Sequence, residues 1–168
     1  MKKIISIILL LSLLFALPGC SKTNTDDAVK FYYCSTEDTY GTEQGLFASE
    51  MRVLSCDKND YPAIINAFLN GPKEKECYTP FPGGTVLEDY QFTNGYATIV
   101  LSPHMAQQTN ANVIVCCACL CMTLFSFPSF QTIEIRIAEK FINGEEKLIF
   151  TRNSFQIHDA SSLPVTDN

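Results

Sequence analysis

The sequence predicts an α+β fold, a small mixed/antiparallel β-sheet with two α-helices packed on one face, and three observations carry that expectation. Residues 86–92 and 96–101 are rich in β-branched and aromatic side chains, and Asn94-Gly95 between them supplies the positive φ angles of a two-residue hairpin turn. Ala63, Ile64, Ala67 and Phe68 recur at helical spacing, and Gly71-Pro72 ends that helix. The third observation is a stretch from 91 to 133 with no Asp, Glu, Lys or Arg. Inside it, residues 113–125 form a helix apolar almost all round, which belongs in a protein interior or in lipid.

Met1-Lys2-Lys3 and the apolar run 4–17 have the basic head and short hydrophobic core of a secretory leader, too short to favour a stable membrane span. Leu17-Pro18-Gly19-Cys20 resembles a bacterial lipobox, which implies a lipoprotein signal peptide cut before Cys20 and lipid on its thiol. The expected layout is therefore a signal peptide at 1–19, the lipidated Cys20 with a flexible linker at 20–28, a folded domain at 29–152 and a polar tail at 153–168. Such a chain is tethered to the cell membrane on its extracytoplasmic side. Loss of Lys2 and Lys3 with the leader takes the net charge from −6 to −8, an acidic balance that argues against nucleic acid as a partner.

Within the domain, residues 29–34 and 51–56 read as two strands able to pair antiparallel across a loop about Tyr40-Gly41. A helix at 60–70 follows, with Asp60 as its N-cap. Pro72, Pro80, Pro82, Gly83 and Gly84 make 73–84 an extended loop, whose Tyr78 and Phe81 either pin it to the body or form a partner-binding pair. Thr132–Ile137 alternates polar and apolar, so Ile133, Ile135 and Ile137 should point inward. Asn143-Gly144 then permits a reversal into a last strand at 147–151, and Phe155 and Ile157 are the apolar residues of the tail.

With Cys20 assigned to lipid, seven cysteines remain, an odd number that cannot all pair within one chain. Cys34 and Cys56 could bridge the first two strands, although spacing does not decide connectivity. Cys116-x-x-Cys119 has metal-ligand spacing. On a helix, however, Cys117 and Cys121 fall well around the cylinder from Cys116 and Cys119, so four sulfurs cannot converge, and small buried thiols acting as hydrophobes is the favoured reading. His104 and His158 sit in no catalytic motif, and Glu88 and Asp89 are adjacent on a strand, a poor arrangement for an acid–base pair. No enzyme activity, catalytic residue, metal or cofactor is expected.

Three segments in order carry a family likeness: Phe68-Leu69-Asn70-Gly71-Pro72; Tyr78-Thr79-Pro80-Phe81-Pro82-Gly83-Gly84-Thr85-Val86-Leu87; and Asn94-Gly95-Tyr96-Ala97-Thr98-Ile99-Val100-Leu101-Ser102, with Phe127-Pro128-Ser129-Phe130-Gln131-Thr132-Ile133 beyond them. Together they resemble the GerMN domain of spore-germination and sporulation lipoproteins. The resemblance spans roughly residues 29–150 and implies an architecture close to ring-building modules of secretion and sporulation machines. It also implies a non-enzymatic, lipid-anchored assembly module of the envelope, with other envelope proteins or further copies of itself as partners. A lipoprotein that binds wall glycan or a metal is the alternative, and a cysteine-dependent hydrolase a third. The chain departs from the family pattern in its single domain and in its cysteine-rich, uncharged second helix.

Overall fold

The computed structural model describes residues 28–36, 46–138 and 146–155. Residues 1–27 with Cys20, the loop about Tyr40-Gly41, the Asn143-Gly144 turn, Ile157 and His158 lie outside the described residues.

Among the described residues the elements run β1 (Ala28–Ser35), β2 (Phe47–Val53), α1 (Tyr61–Leu69), β3 (Cys77–Tyr78), β4 (Leu87–Thr93), β5 (Tyr96–Leu101), α2 (Asn110–Phe125), β6 (Thr132–Ile137) and β7 (Leu148–Thr151). The class is α+β with two helices, as expected. The strands divide between two sheets, one ordered β2-β1-β3 and the other β4-β5-β6-β7. All pairings are antiparallel except β5 with β6, which run parallel in register Tyr96↔Thr132 to Leu101↔Ile137. Parallel neighbours need a crossover, and α2 is that crossover.

Local chemistry sets most boundaries. The Asp60 carboxylate accepts the Ala63 amide at 3.1 Å to cap α1, Pro62 sits in its first turn, and Gly71 leaves it at φ 88°. The buried stripe of α1 is Tyr61, Ile64, Ile65 and Phe68, with Ala63 and Ala67 half-buried beside it. At the β4–β5 turn, Asn94 and Gly95 take φ 52° and 81°. A Cβ on Gly95 would also stand 3.2 Å from the Ser129 carbonyl, and the Gly95 carbonyl accepts the amides of Gln131 and Thr132, so this turn seats the start of β6. Thr109 caps α2 by accepting the Asn112 amide, which starts that helix at Asn110, a polar turn earlier than its apolar run implies. β2 begins and ends before the expected 51–56, because its ladder with β1 runs from Cys34↔Phe47 to Ala28↔Val53 and is then exhausted.

The core has two regions joined by α1. Near its C-terminal end, Phe68 stacks on Tyr33 of β1 with centroids 4.9 Å apart and planes 3° apart. Near its start, Tyr61 meets Phe130 and Phe92 edge-on at 4.6 and 5.4 Å, over the second sheet. The inward residues of that sheet are Ala97, Ile99 and Leu101 from β5 and Ile133, Ile135 and Ile137 from β6, all buried as the alternation predicts. From Cys116 to Phe125 every side chain of α2 is buried save the half-buried Met122. This helix is therefore interior, and no helix among the described residues is long and apolar enough to cross a membrane.

Three charged groups are buried as well among the described residues, Glu134 of β6 and a pair on β2. Glu50 and Arg52, two apart on β2 and so on one face of it, form an ion pair at 2.6 Å between Glu50 Oε1 and Arg52 Nη2. Arg52 also donates to the Ala67 carbonyl at 3.0 Å and to the Tyr33 hydroxyl, and its guanidinium lies 4.1 Å from the centre of the Phe31 ring. Glu50 Oε2 accepts the amides of Lys73 and Glu74 at 2.9 and 2.8 Å. The pair thus ties β2 to the end of α1 and to the loop beyond it.

Candidate functional site

The β3–β4 segment places the candidate binding residues. Tyr78 is 48% exposed, opposite Cys34 in the β1–β3 register, whereas Phe81 is 5% exposed and packs edge-on against Phe68 at 5.5 Å. Phe81 is therefore a core residue, and of the two rings Tyr78 alone faces solvent. The physical reason is the fold of the loop itself: the Thr79 and Thr85 side chains bond to its backbone at Phe81 and Pro82, turning Phe81 inward.

Beneath this segment lie three thiols from two elements. Cys34 of β1 and Cys119 of α2 lie near enough to shift one another's ionisation, Tyr78 acts on Cys34 in the same way, and the Cys116 thiol donates to the Pro80 carbonyl at 3.1 Å. Cys34, Cys116 and Cys119 are fully or almost fully buried. The register comes from α2 lying along the part of the β1 edge that the two-residue β3 leaves uncovered. There the Tyr32 amide donates to Thr123 Oγ1 at 2.9 Å, one helical turn from Cys119 and two strand residues from Cys34. Two steps along a strand and one turn of helix cover similar distances, so the two contacts are successive rungs.

Ionisation differs across the group. The nearby Cys119 thiol, against the opposing effect of burial and with help from Tyr78, draws the Cys34 thiol down to about 7. Cys119 is pushed up by the same contact and by burial, Cys116 is raised by burial to about 12, and Cys117 and Cys121 are raised by burial too. Among the described residues no three of His, Cys, Asp and Glu are grouped to hold a metal ion.

The Cys34–Cys56 bridge does not form, and both thiols are free. Cys34 pairs with Phe47 at one end of the β1–β2 ladder, while Cys56 follows Val53, which pairs with Ala28 at the other end. Six residue steps of strand separate those ends, roughly 20 Å, against the 7 Å limit for a bridge. The exposed His104 bonds through Nδ1 to Ser102 Oγ at 3.0 Å, and that hydroxyl also accepts the Val86 amide. Ser102 is buried and occupied in joining β5 to the approach of β4. Glu88 and Asp89 are both exposed, beside a register shift that interrupts the alternation of β4.

Sequence reading missed the meeting of Cys34 with Cys119 and the interior Glu50–Arg52 pair. The one local signal for the second was an acid and a base two apart on a strand, which fits a solvated face equally well.

The fold is shared with solved proteins. The tandem GerMN domains of the sporulation protein GerM from Bacillus subtilis superpose with a TM-score of 0.53 and 18% identity, over 76% of this chain and 46% of that one. This chain thus spans less than half of the tandem structure. The first GerMN domain of the same protein gives 0.52 and 14%, over 67% of this chain and 84% of that one. A Clostridium perfringens protein described as a lipoprotein gives 0.48 and 16%, over 76% and 90%. No protein of curated function matches. The family model described as "Germane: Sporulation and spore germination" matches residues 30–143, about two thirds of the sequence, and this chain therefore belongs to the Germane family.

Proposed function

We propose that the chain is a non-enzymatic module, lipid-anchored through Cys20 on the extracytoplasmic face of the cell membrane, that assembles with other envelope proteins during spore formation or germination. Membership of the Germane family over residues 30–143 is the observation that carries this reading. The surface supports the assembly part of it. β2 is the outer strand of its sheet among the described residues, and Met51 and Val53 on it are 60% and 49% exposed. An outer strand with apolar side chains is suited to pairing with a further chain.

The test has three arms in a spore-forming host. Deletion of the gene is expected to lower the count of heat-resistant spores, and unchanged counts overturn the sporulation role. Cys20→Ala is expected to move the protein from the membrane to the soluble fraction, and unchanged partition overturns the anchor. A photocrosslinking residue at Met51 or Tyr78 is expected to capture an envelope protein. Capture of wall glycan instead would replace the assembly reading with a glycan-binding one.

A further inference from the structure

We propose that two copies of this chain pair through β2, antiparallel about a two-fold axis at Met51, so that their β2-β1-β3 sheets join into one continuous sheet. The pairing rests on the reading of β2 as an assembly surface and names its partner as a second copy.

The β1 ladder decides which backbone groups of β2 face outward. The Tyr32 amide points away from β2, to Thr123 Oγ1, and Ser49 is the residue opposite Tyr32. Opposed residues of an antiparallel ladder turn their polar groups the same way, toward each other or apart, so those of Ser49 point away from β1. The Ser35 amide, which donates to the Leu46 carbonyl at 3.0 Å, fixes the inward set as the even-numbered positions. Ser49, Met51 and Val53 therefore present their amides and carbonyls at the edge of β2, which is the outer strand of its sheet among the described residues. Their side chains are all exposed, and the alternate Glu50 and Arg52 are buried.

This strand is complementary to itself about Met51. With Met51 opposite Met51 of the second copy, Ser49 meets Val53 and Glu50 meets Arg52, in both directions. Opposite charges then stand directly across the seam. The nearest registers that keep exposed face beside exposed face set Glu50 against Glu50 or Arg52 against Arg52, so buried charge selects one register. Arg52 Nε is buried without a hydrogen-bond partner among the described residues, and Glu50 of the second copy brings an acceptor toward it. Along the seam Met51 exchanges both of its backbone hydrogen bonds with its counterpart, and Ser49 does so with Val53. On the exposed face the Met51 side chains cover one another, with Val53 of each copy diagonal to them.

The experiment uses full-length chains bearing two different epitope tags, coexpressed, with their membranes oxidised by copper phenanthroline and linked peptides mapped by mass spectrometry. The parent chain, with its own cysteines, sets the background. A Ser49→Cys copy is expected to link to a Val53→Cys copy, because hydrogen-bonded partners stand about 5.5 Å apart, within disulfide reach. Two Ser49→Cys copies are expected to link several-fold less, being roughly 13 Å apart along the seam. Met51→Lys sets two ammonium groups opposite one another at an exposed position, and should lower the Ser49–Val53 yield several-fold without unfolding the chain. Equal yields from like and unlike pairs, or no link above background, would overturn the pairing. A photocrosslinker at Met51 separates it from the broader reading. Capture of a second copy is expected; capture of a different envelope protein alone would overturn self-pairing and leave β2 as an assembly surface, and capture of no protein would overturn both.

Discussion

The Thr123 hydroxyl accepts a hydrogen bond from the Tyr32 amide at 2.9 Å and donates one to the Cys119 carbonyl at 3.0 Å, so a helix side chain completes hydrogen bonding along the open edge of β1. A buried strand amide otherwise has no water to turn to. Thr123→Val, nearly the same shape, is expected to destabilise the protein by about 1–3 kcal/mol, and Thr123→Ser by less. Urea unfolding checks this, with a lower midpoint at unchanged slope. An unchanged midpoint for the valine variant would show that the edge finds another partner.

Acid should weaken the fold through Glu134. Burial by itself raises this carboxyl, but hydrogen bonds from Tyr96, Arg136 and Lys147 at 2.5, 2.7 and 3.1 Å outweigh burial and hold it at about 2, against 4.5 for the free group. Its contribution is present above pH 4.5 and is lost as pH falls toward 2. Since Arg136 and Lys147 are about half exposed, we expect about 2 kcal/mol rather than the full value of the shift. Glu134→Gln should flatten the stability–pH curve in that window, measured by denaturant titration at successive pH values.

Removing the Arg52 charge alone should cost more than removing the pair. Arg52→Met leaves the Glu50 carboxylate buried without its cation, a loss of about 3–5 kcal/mol. Glu50→Gln keeps an acceptor for the Lys73 and Glu74 amides while removing the charge. The double variant is therefore expected to regain at least about 1 kcal/mol over Arg52→Met, as a double-mutant cycle will show.

Arg152 closes the far end of α2. Its guanidinium donates to the carbonyls of Phe125, Phe127 and Phe130, the first two at 2.8 and 2.6 Å, placing a cation at the negative end of the helix. Arg152→Lys keeps the charge but loses the fork of donors, and should cost about 1–2 kcal/mol. Faster amide hydrogen exchange in the last turn of α2 is the expected signature.

Tyr78 and Phe81 should separate in their effects. Phe81→Ala empties a core site and is expected to cost about 3–5 kcal/mol, seen as a fall in thermal midpoint. Tyr78→Ala should cost under about 1 kcal/mol while reducing capture of a partner in cells. Equal capture by both proteins would exclude Tyr78 from the interface.

By itself the sequence determined the parts whose cause is short-range. Asp60 and Gly71 bound α1, Asn94-Gly95 turns the β4–β5 hairpin, and the alternation of Ile133, Ile135 and Ile137 orients β6; each depends on residues within one turn or one pleat of another. The ordered motifs from Phe68 to Ile133 likewise pointed to the family, because each is a short unbroken run and the runs follow one another in order along the chain. Tertiary structure decided the rest. Division into two sheets, the burial of Glu50 and Arg52, the inward turn of Phe81 and the meeting of Cys34 with Cys119 all depend on which surfaces close over which. Burial and hydrogen-bond partners there are set by contacts between distant segments, and neither composition nor period encodes those distances.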